Sequence, residues 1–231
     1  MSCPLTAKSP TTTLPPMKLL PLPDDLKAHI LAHFNAVTDG WCWEEKAIKL
    51  AEVVWTLKPK LTVEVGVFGG KSFIPMAAVV AHLDQNEGKH SAVGIDAWEA
   101  TAALENNFGT AHEPFWKDQA MLDGVRARAV GRCNALASRS VKLVKDWSTN
   151  AIRDFSDGQI NVISLDSNHS EATSFRDVVT WWAKLAPGGV FIFDDTAWES
   201  QQKAVNWLKE RGEVIWEYNQ NGNSTMMFLK S

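Results

Sequence analysis

Tyrosine is nearly absent from this chain: there is one in 231 residues. Cysteine is scarce as well. Cys3, Cys42 and Cys133 are odd in number and lack the paired spacing of a zinc site or a disulfide framework, which reads as reduced thiols in a cytoplasmic protein. No apolar run exceeds strand length, so no membrane-spanning segment is expected. No cluster of Lys and Arg stands out and the net charge is −4, which disfavours nucleic acid and anionic membranes as partners. Residues 1–23 are crowded with proline and lack the apolar centre of a signal peptide, so they read as a flexible N-terminal arm.

What is plentiful is tryptophan, at 11 residues. Trp55, Trp182 and Trp207 fall on helical apolar stripes and are expected in the core. Trp41, Trp43, Trp98, Trp116, Trp147 and Trp198 fall in loops or at strand ends, where an indole serves either ligand contact or packing of a lid.

Apolar periodicity divides residues 24–231 into alternating strands and helices within one domain. Two leading helices occupy 24–58. Strands are predicted at Leu61–Val65, Ala92–Ile95, Val141–Val144, Ile160–Leu165 and Val190–Phe193, with a closing hairpin of Glu213–Tyr218 and Thr225–Leu229. Helices are predicted from about Ser72 to Leu83, Lys117 to Leu136, Ser148 to Phe155 and Gln201 to Glu210. Another, between Asp166 and a Pro-Gly-Gly turn, presents Phe175, Val178, Val179, Trp182 and Leu185 on one face. Residues 99–118 show no period and read as a lid-like loop. The order predicts an α/β fold: a Rossmann-like, doubly wound, mostly parallel seven-stranded sheet with one antiparallel strand from the C-terminal hairpin and helices on both faces.

Strands of such a sheet end at its ligand-binding edge. Asp96, Asp146, Asp166, Asp194 and Asp195 all follow predicted strands, and His169 lies three residues beyond Asp166. The loop after the first strand, Glu64-Val65-Gly66-Val67-Phe68-Gly69-Gly70-Lys71-Ser72, lets the backbone approach a ligand closely. It does not match the G-x-G-x-x-G dinucleotide pattern, because Val67 stands at the wrong place. Nor does it match the phosphate loop, whose first glycine would lie one residue earlier. A cofactor with an amino acid moiety and no phosphate suits it better.

E-x-G-x-x-x-G-x-S after a first strand resembles motif I of class I S-adenosylmethionine-dependent methyltransferases. The resemblance implies that S-adenosylmethionine lies along Glu64, Gly66, Phe68, Gly69, Gly70 and Ser72. It implies that Asp96 meets the ribose hydroxyls beside Ala97 and Trp98, and that Asp146, Trp147 and Ser148 border the adenine. Asp166 would face the cofactor from the neighbouring strand. The run Asp166-Ser167-Asn168-His169, then Leu185-Ala186-Pro187-Gly188-Gly189 and Asp194-Asp195, resembles the narrower group of cation-dependent macrocin- and mycinamicin-type sugar O-methyltransferases. That resemblance implies a divalent cation, Mg²⁺ in the first instance, held by Asp166, Asp194 and Asp195. It also implies a small-molecule hydroxyl acceptor.

The chemistry of the residues agrees. Carboxylate oxygens suit a hard cation, which acidifies and fixes a hydroxyl. His169 could take the hydroxyl proton as general base, with Asp166 at the same centre. Trp41, Trp43, His169 and Trp198 are the candidate acceptor contacts. Two other classes stay open: a hydroxylase-like or metal-independent enzyme on the same fold, and a non-catalytic S-adenosylmethionine-binding module. The sequence leaves the oligomeric state open, a homo-oligomer included.

Overall fold

The computed structural model describes residues 17–106, 113–220 and 222–231. The chain folds around one sheet of seven strands: β1 (Leu61–Val65), β2 (Ser91–Asp96), β3 (Val141–Lys145), β4 (Ile160–Leu165), β5 (Leu185–Asp194), β6 (Gly212–Gln220) and β7 (Asn223–Lys230). Their order is β3-β2-β1-β4-β5-β7-β6. β1 to β5 pair in parallel, and β7 is antiparallel to both β5 and β6. This is the Rossmann-like architecture expected from the alternation of elements.

Nine α-helices are described: α1 (Asp24–Asn35), α2 (Glu44–Leu57), α3 (Phe73–Asp84), α4 (Ala100–Ala103), α5 (Glu113–Trp116), α6 (Gln119–Ala135), α7 (Ser148–Ala151), α8 (Glu171–Lys184) and α9 (Gln202–Lys209). Alternation along the strands sends their apolar side chains to two layers. Ala92, Val162, Val190, Ile192 and Met227 join α1, α2 and α3 in one core. Val63, Val65, Ile163, Leu165, Phe191 and Phe193 join α8 and α9 in the other. β1 is buried on both faces, and the buried residues include Thr62 and Glu64 as well as Val63 and Val65.

Local chemistry sets the element ends. Lys58 closes α2 in the left-handed conformation at φ 45°, and Pro59 prevents its continuation. Asp118 caps α6 by accepting the Met121 N–H at 2.9 Å.

Several expectations are corrected. Pro187-Gly188-Gly189 is no turn outside the strand but the irregular start of β5, whose register against β4 shifts between Ile160 and Val162. The buried face of α8 includes Thr173, Ser174, Asp177 and Trp181 beside Val178 and Trp182, while Phe175 and Val179 are only half-buried. Polar residues can face inward there because each finds a partner: Ser174 bonds Gln201, and Asp177 accepts from Ser167 and Arg176. The loop 99–118 carries α4 and α5 at its two ends, and its residues 107–112 lie outside the described residues. Of the N-terminal arm, residues 1–16 also lie outside them. Residues 17–23 lie on the body, with Leu22 buried and the Leu20 N–H donated to Thr56 Oγ1 at 2.8 Å.

Candidate active site

Strand order reverses between β1 and β4, the switch point at which open α/β sheets bind ligands. The two strand ends meet there. Asp166 N donates to Val65 O at 2.9 Å, and Gly66 N to Ile95 O at 2.9 Å. Gly66 has φ +90°, and a Cβ on it would fall 1.8 Å from the Asp166 carbonyl oxygen. No other residue fits, so the glycine loop lies directly against Asp166.

The loop is held open by Asp96 at the end of β2. One carboxylate oxygen accepts the Phe68 N–H at 2.8 Å and the other the Trp98 N–H at 2.7 Å. Phe68 takes φ 47°, a backbone conformation that a bulky residue adopts only under constraint. Each Asp96 oxygen still has lone-pair capacity for a hydroxyl donor. Gly70 is left-handed, Gly69 packs against Asp39, and Ser72 donates its hydroxyl to Glu64 Oε1 at 3.0 Å. Glu64 is fully buried and its Oε2 has no hydrogen-bond partner. Burial first, and the negative charge of Asp166 second, push its pKa well above the ordinary carboxylate value.

Ala97 is half-buried at the mouth of this loop. Trp98 is buried: it is 1% exposed and its indole N–H donates to Phe68 O at 2.9 Å, tying the β2 end to the glycine loop. Asp146 accepts from Trp147 N at 2.8 Å, and the Trp147 indole donates to Glu99 Oε2 at 2.9 Å. Ser148 opens α7 beside them.

At the ends of β4 and β5 the acidic residues gather round His169. Its Nε2 lies 2.8 Å from Asp195 Oδ2 and 3.6 Å from Asp166 Oδ1. Ligand atoms of Asp166, His169 and Asp195 all lie within 4.8 Å of one another. Two carboxylates and one imidazole at that spacing suit a divalent cation. Asp195 sits at φ 52°, a strained conformation for a non-glycine residue. Burial opposes a charge on His169, but hydrogen bonds and attraction from Asp166 and Asp195 outweigh it and raise its pKa to about 10. Burial alone would also raise Asp166, yet His169 and Lys46 hold it below the usual carboxylate range.

Asp194 departs from the expected set of three equal ligands. One of its oxygens pairs with the Lys46 ammonium, and the other accepts from Thr225 Oγ1. Burial and the neighbouring Asp166 raise its pKa to about 6 despite Lys46. Lys46 is 1% exposed, although it reads from sequence as a helix-surface charge. The available signal is its helical phase: it precedes Leu50 by one turn, on the stripe that also carries Ala47 and Val54.

The candidate acceptor residues divide. Trp198, 42% exposed, lays its ring 5.0 Å from that of His169 at 34°. Trp43 is half-buried, 4.6 Å from Tyr218 and facing Lys46. Trp41 is 66% exposed and stacks on Phe68 at 5.4 Å. It lines a cavity of about 270 Å³ with Phe115 and residues of α6.

Glycine loop, strand-end carboxylates and a mixed sheet closed by an antiparallel hairpin define a class I methyltransferase. The chain belongs to the methyltransferase domain family, whose model matches residues 63–196. It is 24% identical over 166 residues to the uncharacterized protein y4gI of Sinorhizobium fredii, covering 72% of this chain; it spans 15% of that relative's length. Among solved structures, it resembles the O-methyltransferase TomG of Streptomyces achromogenes, solved with S-adenosylmethionine (TM-score 0.58, 14% identity, 92% of this chain and 93% of that one). It also resembles an O-methyltransferase of Bacillus cereus solved with S-adenosylhomocysteine (TM-score 0.53, 14% identity, 90% and 92%). A third likeness is to the methyltransferase PaMTH1 of Podospora anserina (TM-score 0.58, 13% identity, 91% and 89%). At these identities the likeness concerns the fold.

Proposed function

We propose that this enzyme transfers the methyl group of S-adenosylmethionine to a hydroxyl of a small molecule, a sugar or another polyhydroxylated metabolite, with a divalent cation as cofactor. The observation that carries this reading is the cluster of Asp166, His169 and Asp195 at the strand ends, with the glycine loop packed directly on Asp166.

In such a transfer the acceptor oxygen attacks the sulfonium methyl in line. An O–CH₃ bond forms, the S–CH₃ bond breaks, and S-adenosylhomocysteine leaves as a neutral thioether. The electrophile is already activated, so the protein must place the hydroxyl and remove its proton. Asp96 and the Glu64–Ser72 loop would hold the cofactor, with Trp147 at the adenine. Trp198 offers the acceptor a flat face beside His169. His169 would take the proton at Nε2 once Asp195 no longer holds that atom. As it stands between two carboxylates, His169 is itself cationic, so it must first lose their support. A divalent cation, when bound, supplies charge that neutralises those carboxylates and acidifies a nearby hydroxyl. Asp166 and Asp195 would hold it, with Asp194 adjoining.

A metal-independent transfer is the second reading. The observation favouring it is that Lys46 already provides Asp194 with a positive charge. Titration calorimetry with S-adenosylmethionine separates these readings from a different cofactor class: micromolar binding lost in Asp96→Ala supports both, whereas binding of NAD alone would refute both.

A further inference from the structure

Lys46 is a charge placed where α2 should carry an apolar residue. It lies on the stripe of Ala47, Leu50 and Val54 and is as buried as they are. Its ammonium is enclosed by Asp194 on one side and by the Trp43 indole, 5.3 Å from the ring centroid, on another. A buried lysine is seldom kept for stability alone, since a well-packed apolar residue commonly does as well. The surroundings supply a reason. Asp166, Asp194, Asp195 and Glu64 converge at the ends of β1, β4 and β5, and carboxylates brought so close repel. His169 answers Asp166 and Asp195. Asp194 is left to Lys46, reached from a helix 148 residues away in sequence.

We propose that Lys46 is a built-in counter-cation of the acidic cluster: it holds the carboxylates together when no divalent cation is bound, and its fixed charge lowers the cluster's affinity for one. The inference rests on the cation reading above. Lys46 is buried on the packed face of α2, so moving its ammonium out to solvent when a cation arrives would disturb the packing of that helix. Its charge therefore opposes the cation in every state, and the site takes up the ion reversibly rather than as a permanent structural metal.

The test is calorimetric titration of MgCl₂ and MnCl₂ into the metal-stripped full chain at pH 8, for the wild type, Lys46→Gln, Lys46→Met and Lys46→Arg. The two neutral variants should bind either cation about tenfold tighter than wild type, and the arginine variant within about twofold of it. In EDTA the neutral variants should melt lower than wild type, with added cation closing the gap. Should Lys46→Met fail to fold, Lys46→Gln decides, because its amide still donates to Asp194. Neutral variants that bind a cation no more tightly than a binding wild type overturn this inference alone. Binding by the neutral variants with none measurable in wild type supports it. No binding by any of the four overturns both this inference and the cation reading.

Discussion

Single residues in this molecule are constrained less by size than by what their polar atoms meet. Asp84, at the end of α3, accepts the Ser140 hydroxyl and the His90 N–H, and these bonds draw its pKa down to about 2. Because the folded value lies below the ordinary 3.8, its contribution to stability is present above that pH and is lost as pH falls towards about 2. Asp84→Asn should therefore lower Tm at pH 7 by several degrees, with the gap to wild type closing below pH 3 in a melting series. Gly66 is constrained by space. Gly66→Ala must displace either the glycine loop or the Asp166 backbone, a cost of about 3 kcal/mol. Urea unfolding should show that loss, and S-adenosylmethionine binding should vanish with it.

At the scale of elements, the site is assembled by segments that anchor one another. The Asn168 amide, between Asp166 and His169, donates to the carbonyls of Ala102, Ala103 and Glu105 at 3.3, 3.1 and 2.9 Å. Arg176 of α8 pairs with Glu105 through both its terminal nitrogens. The first part of the expected lid is thus strapped to the turn that carries Asp166 and His169. Asn168→Ala should raise amide exchange in residues 100–106 at least about tenfold and leave β1 and β4 protected, as a local opening does; unchanged exchange would show that the strap is idle. The cap of α6 is separable from the site. Asp118→Ala should lower stability by about 1 kcal/mol without affecting cofactor affinity.

Over the whole molecule, the sheet was legible because strand and helix periods are local properties of sequence. β1 and β4 begin and end where their β-branched runs do. The edge on which the strand-end carboxylates lie followed from those ends, which is why Asp96, Asp166, His169 and Asp195 could be placed together there from sequence. Pairing among charges was not legible. Lys46 in Glu-Glu-Lys-Ala-Ile-Lys reads as one more solvated helix charge, and only the packing of α2 onto the sheet delivers it to Asp194. Trp98 has the same history: a loop indole in the sequence, it is drawn inward by the positive φ that aims it at Phe68. The burial of Thr173, Ser174 and Asp177 does not read from sequence, because the partners that permit it come from other segments.

The proposed methyl transfer needs three parts: a sulfonium methyl donor, a hydroxyl acceptor, and an acidic centre that works with a divalent cation. One measurement tests them together. Purified enzyme is incubated with methyl-labelled S-adenosylmethionine and a panel of polyhydroxylated small molecules, in Mg²⁺ or in EDTA, alongside Asp166→Asn and His169→Ala. The expected result for the proposed transfer is a labelled methyl ether in Mg²⁺, its loss in EDTA, and a fall of at least about 100-fold in both variants. Undiminished transfer in EDTA, or a label found on nitrogen, sulfur or carbon rather than oxygen, would contradict it.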